Sequence, residues 1–90
     1  MQFDWDSVKA AANLNKHGVD FPDAAVVFTD EFRIESFDSR QPYGEDRFVA
    51  IGLFDGNELI VVYTLRGGNI RIISARKANA YERRNYWDNR

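Results

Sequence analysis

The chain is predicted to fold as an α+β domain: two N-terminal helices, a four-stranded antiparallel meander and a C-terminal helix, with room for a short extra strand before the first helix. Three observations lead there. Capping residues and helix formers crowd residues 6–28, and alternating apolar residues broken by glycine-containing turns fill residues 32–75. From Arg76 onward Ala, Lys, Glu and Arg dominate, which favours helix. Ninety residues form one domain, 1–90, with a modest core; two domains would each be too small to bury one.

Met1 to Trp5 reads either as a short strand or as a lead into the first helix. Asp6 is the expected N-cap of a helix running from Ser7 to His17, and Gly18 stands where a left-handed C-terminal cap belongs. A helical wheel puts Trp5, Val8 and Ala12 toward the core, with Lys9, Asn13, Lys16 and His17 on the opposite, polar face. Val19 to Phe28 reads as a second, shorter helix, with Pro22 in its first turn, where no backbone N–H is missed.

Phe32 to Phe37 alternates as a half-exposed strand, followed by the longest loop, Asp38 to Asp46, with Gln41, Pro42 and Gly44 as turn residues. The strands Arg47–Phe54 and Glu58–Leu65 flank Asp55-Gly56-Asn57, a hairpin signal. In the second of these, Leu59, Val61 and Tyr63 share one face, and Ile60 and Val62 the other, so both faces need cover. Three short helices do not supply all of it, which leaves part of one face for a partner. Arg66-Gly67-Gly68-Asn69 turns into the last strand, where alternation places Arg71, Ile73 and Ala75 on one face and Ile70, Ile72 and Ser74 on the other. A cation on that apolar strand must be paired, or must open onto solvent or a ligand.

Composition narrows the function classes. A hydrophobic fraction of 44% with 14% aromatics belongs to a folded chain. With no cysteine and one histidine, a disulfide framework and a thiolate metal site are excluded, and no metal or cofactor is expected. No apolar run approaches the roughly 20 residues of a membrane helix, so a soluble, cytoplasmic protein is expected. The net charge of -2 conceals a division: residues 1–65 carry five cations against twelve acids, whereas residues 66–90 carry seven against two. A basic end of this kind points to a polyanion or an acidic partner, or to neutralisation of one half by the other.

Three blocks of residues then form a pattern. The first is Phe-Asp-Trp-Asp at 3–6 with Lys9, Asn13, Lys-His-Gly-Val at 16–19, Phe21, Ala24, Phe28 and Asp30. The second is Gly44-Glu45 with Arg47 and Gly52; the third is Val62-Tyr63-Thr64, Arg71 through Ala78, Glu82-Arg83 and Tyr86. Together they resemble the BrnT family of bacterial type II toxins over about residues 3–86. The resemblance implies a fold related to the RelE-type ribonucleases and endonucleolytic, metal-independent RNA cleavage. It also implies a cognate DNA-binding antitoxin of the BrnA type, bound as a toxin–antitoxin hetero-oligomer.

Metal-free cleavage uses the RNA 2′-OH as nucleophile and asks the protein for proton transfer and charge stabilisation. Histidine is the side chain whose unperturbed pKa lies nearest neutrality, and the chain's one histidine, His17, lies in the Lys-His-Gly segment; it is a catalytic candidate or a helix-end cap. Lys9 is a candidate acid or phosphate ligand, and Lys16 a candidate RNA contact. Arg71 and Arg76 suit phosphate clamping, because guanidinium binds phosphate oxygens in pairs and stays charged. Glu45 and Arg47 read as base and clamp, or as a local ion pair. Arg66 and Lys77 complete the expected RNA-binding cations. Tyr63, Tyr81 and Tyr86 either stack bases or pack in the core, and Glu82, Arg83 and Tyr86 are candidate antitoxin contacts. A second function from another class is a degenerate, non-catalytic toxin that binds antitoxin as a co-repressor, motivated by the acidic first 65 residues.

Overall fold

Local capping chemistry starts and stops the first helix where the sequence places it. The computed structural model describes residues 1–40 and 42–90, so Gln41, expected as a turn residue, lies outside the described residues. After a two-residue strand β1 (Phe3–Asp4), helix α1 runs Ser7–His17. The Asp6 carboxylate accepts from the Val8 and Lys9 amides, and Gly18 closes the helix at φ +71°. Helix α2 (Phe21–Ala25), with Pro22 in its first turn, runs into a 3₁₀ turn, Val26–Thr29. Strands β2 (Ile34–Asp38), β3 (Arg47–Phe54), β4 (Asn57–Arg66) and β5 (Asn69–Lys77) precede helix α3 (Ala80–Asp88). Asp55 and Gly56 both take positive φ, which matches the twist of the β3–β4 hairpin.

The sheet order is β1-β5-β4-β3-β2, so the meander of four antiparallel strands is present but gains a fifth. That fifth strand makes the sheet mixed, because β1 pairs with β5 in parallel through Phe3↔Ile70 and Asp4↔Arg71. The C-terminal helix also begins later than expected. Residues up to Lys77 remain in β5, paired with Leu59 and Ile60, and α3 starts only after Asn79, which forms a capping box with Glu82. Pairing across the hairpin outweighs the helix propensity of Arg76 and Lys77.

Two cores lie on either side of the sheet. Phe21, Val27 and Phe28 from α2 and its 3₁₀ turn pack on Leu59, Val61, Tyr63 and Ile72. On the other side Tyr86 and Ala78 pack on Ile51 and Ile60. Gly52 permits the close approach of the 3₁₀ turn, since a Cβ there would stand 2.6 Å from Val27 Cγ1.

Two orientations differ from the expected ones. A bulge opposite Val62 and Tyr63 leaves Ile73 without a partner, so Ala75 joins Ile70 and Ile72 on the α1–α2 side instead of facing away from them. Helix α1 is also turned round. Val8 is exposed and Asn13 is buried, because β1 ends at Asp4 and leaves the edge of β5 unpaired beyond Arg71. Asn13 fills that edge as a further strand would. Its amide donates to Ala75 O (2.8 Å) and Val19 O (3.0 Å), and accepts from Ala75 N (3.1 Å). A polar side chain that satisfies both backbone groups of β5 belongs inside, whatever the wheel suggests.

Candidate active site

Helix α3 covers only one end of its side of the sheet. Ile60, Val62 and Thr64 of β4 point to that side; Ile60 meets the α3 core, while Val62 and Thr64 face adjoining depressions. Along the β5 edge the stripe Lys9, Asn13 and His17 of α1 spans both depressions, with Lys9 at one and His17 at the other. Positions i, i+4 and i+8 of a helix stack on one face and extend about 12 Å.

The smaller depression, about 50 Å³, is lined by Lys9, Glu45, Arg47, Thr64, Arg66 and Arg71, with Asp6 at its rim. Glu45 stands between two guanidiniums, 3.4 Å from Arg47 Nε and 3.3 Å from Arg66 Nη2. Arg71 makes one contact of 3.1 Å to Asp4. These pairs are single, long and partly exposed, so they hold their arginines weakly and leave N–H groups free. Arg47 also lies over the Tyr43 ring at 4.1 Å. The Thr64 hydroxyl donates to Asp46 O and ties the start of β3, which carries Arg47, to β4. Backbone N–H groups of Lys9 and Val8 hold the Asp6 carboxyl below its usual range.

The larger depression is a groove of about 480 Å³. Val49, Ile60 and Val62 lie along it, Ser36 and Ser74 border it, and Arg40 and Arg76 stand at its sides. Here the guanidiniums are held firmly. Arg40 Nε and Nη2 each donate to Asp38 at 2.8 Å, and Arg76 Nη1 and Nη2 each donate to Glu82 at 2.8 Å. Arg40 holds the buried Asp38 carboxyl well below the usual carboxylate range, with help from the Tyr43 hydroxyl. Arg76 does the same for Glu82 to a lesser degree.

A family model described as "Ribonuclease toxin, BrnT, of type II toxin-antitoxin system" matches residues 5–82. The chain belongs to the BrnT family. No curated protein matches it. Membership makes it a ribonuclease toxin by family, with an antitoxin as its partner class. No helix is long and apolar enough to cross a membrane among the described residues.

Against this BrnT background, the expected site residues divide. Lys9, Glu45, Arg47, Arg66 and Arg71 come together in the smaller depression, although they derive from α1, β3, β4, β5 and the loop before β3. His17, Arg76 and Glu82 meet in the groove instead. Lys16 is exposed on α1, and Lys77 faces the α1–α2 side beside Gly18 and Asp23. Arg83 donates to Ala78 O at 2.9 Å. Tyr86, a candidate antitoxin contact by sequence, is fully buried and donates to Asp30. Burial and that bond push its hydroxyl up to about 12. Tyr63 is likewise a core residue, whereas Tyr81 is exposed.

Asp38, Arg40, Ser36, Ser74 and Thr64 are absent from the site residues expected from sequence, although Ser74 and Thr64 fall within the blocks that carry the family resemblance. The signal for Asp38 and Arg40 is an acid two residues before an arginine at a strand end, which looks like many solvated pairs. For Ser74 the bulge decides, and nothing in the residue types announces it.

Proposed function

We propose that the chain is a metal-independent endoribonuclease whose reaction centre is the Lys9–Glu45–Arg47–Arg66–Arg71 depression. The observation that carries this reading is a carboxylate set between two loosely held arginines, with a third arginine and a lysine lining the same small space. Arginines in single contacts of 3.1–3.4 Å exchange a carboxylate for a phosphate at little cost.

Glu45 then accepts the proton of the RNA 2′-OH as its oxygen attacks phosphorus. Arg47, Arg66 and Arg71 stabilise the charge that builds on the phosphorane oxygens. Lys9 gives a proton to the departing 5′ oxygen, an alkoxide far more basic than an amine. The products are a 2′,3′-cyclic phosphate and a 5′-hydroxyl, so protons and charge balance without water entering the step. The partner is a BrnA-type DNA-binding antitoxin, as the family resemblance implies, and the complex acts in the cytoplasm.

The test is digestion of RNA by purified protein in EDTA, with and without antitoxin, followed by analysis of the new ends. Cyclic phosphate ends, formed in EDTA and suppressed by antitoxin, are expected. A requirement for added divalent metal, or 5′-phosphate ends, would overturn the mechanism.

A further inference from the structure

The contrast between the two depressions separates the arginines by task. Those beside Glu45 are loosely held, but Arg40 and Arg76 in the groove are each locked by two 2.8 Å bonds to one carboxylate. Bidentate pairing offsets the charge and commits two of the five N–H donors to the carboxylate, so these arginines grip a phosphate less readily than the loosely held ones. It leaves the flat face of the guanidinium open and fixes its plane. A flat face held in place is what a nucleobase stacks on. Arg40 is 70% exposed at its side chain, so its face is accessible.

The rest of the groove has the matching chemistry. Val49, Ile60 and Val62 give it an apolar floor. Ser36 and Ser74 border it with hydroxyls that have no protein partner among the described residues, so they are free to read a base edge. Its volume of about 480 Å³ falls within the range of small-molecule pockets. Val62 in the groove and Thr64 in the reaction centre are two residues apart on one face of β4, about 7 Å. One nucleotide spans that gap.

We infer that the groove is a nucleobase subsite: it takes the base of the nucleotide adjoining the scissile phosphate, and so sets where the RNA is cut. The inference rests on the reaction centre proposed above. Arg40 and Arg76 are its stacking planes, and Ser36 and Ser74 its hydrogen-bonding edge.

Two measurements test it together. The first is an amide NMR titration with a short oligonucleotide whose 2′-hydroxyl at the cut position is removed, so that binding is read without cleavage. Shifts at Ser36, Val62 and Ser74 are expected; shifts confined to the Lys9–Arg47 region would overturn the subsite. The second compares cut-site profiles of wild type with Arg40→Lys, which keeps charge but loses the plane, and Ser36→Trp, which fills the groove from an exposed edge-strand position that tolerates aromatics. Each variant should flatten the preference at the adjoining nucleotide and lower kcat/KM on the preferred sequence roughly tenfold, the scale of one lost stacked base. Unchanged profiles in both folded variants would overturn the inference. Unchanged profiles with weakened antitoxin inhibition would assign the groove to the protein partner instead. If wild type binds in the groove yet never cuts, the chemistry proposed at Glu45 fails and the subsite stands.

Discussion

Replacing Asn13 by Leu removes the one side chain that completes the edge of β5. Three hydrogen bonds disappear, at 2.8, 3.0 and 3.1 Å, and the backbone groups they served sit at residues that are 1% (Ala75) and 5% (Val19) exposed. An orphaned buried amide costs about 1–3 kcal/mol, and each of the two carbonyls loses a neutral bond of about 0.5–1.5 kcal/mol. The sum is about 2–6 kcal/mol. A chain of this length has roughly 5–13 kcal/mol in total, so the variant keeps a much reduced margin. At about 4–8 °C per kcal/mol, the midpoint of the centre estimate falls by roughly 16–32 °C. Urea denaturation at low temperature, read by circular dichroism, gives the number directly. A loss below about 1 kcal/mol with an unchanged denaturant slope would show that Asn13 does not hold the edge. Asn13→Asp supplies the control. It keeps the acceptor for Ala75 N but faces two carbonyls with a carboxylate, so its stability should recover as pH falls and the group protonates into a donor.

Three further outcomes follow from particular contacts. Glu45→Gln should leave the fold intact and slow RNA cleavage roughly 10²–10⁴-fold, as loss of a general base does; full activity in a cleavage assay would remove Glu45 from the chemistry. Gly52→Ala should destabilise by about 1–3 kcal/mol in thermal unfolding, because the new methyl group meets Val27 at 2.6 Å. Asp38 has a lowered folded pKa, so the stability it contributes is complete above the ordinary carboxylate value of about 3.9 and is lost as pH falls toward the folded value. Asp38→Asn should therefore be less stable than wild type at pH 7, and the gap should close below about pH 4; a gap that stays constant with pH would show that the Arg40 pairing is not its source.

What could be read from the chain alone were features whose cause is local. Asp6 and Gly18 bound α1, Pro22 opens α2, and Asp55-Gly56 turns β3 into β4, because caps and turns depend on a few neighbouring dihedrals and orphan backbone groups. The alternation of Leu59, Val61 and Tyr63 against Ile60 and Val62 also marked a strand covered on both sides. The residue types of the candidate site were visible too. Lys9, Glu45, Arg47, Arg66 and Arg71 stood out as chemistry-bearing positions.

Which of those residues meet was settled only by tertiary structure. Periodicity grouped Lys9, Asn13 and His17 on one stripe but turned it to solvent; the unpaired edge of β5 draws it inward, since an open backbone edge demands partners more strongly than a modest apolar stripe. Alternation along β5 fails at Ile73, because a bulge inserts one residue and resets every face beyond it. That reset brings Arg76 to the same side of the sheet as Arg71, where it borders the groove rather than the smaller depression. Sequence determined that this chain carries a set of guanidinium, amine, imidazole and carboxylate groups on an α+β frame. Edge pairing and a single bulge, both products of contacts between distant segments, decided that those groups form two adjoining sites.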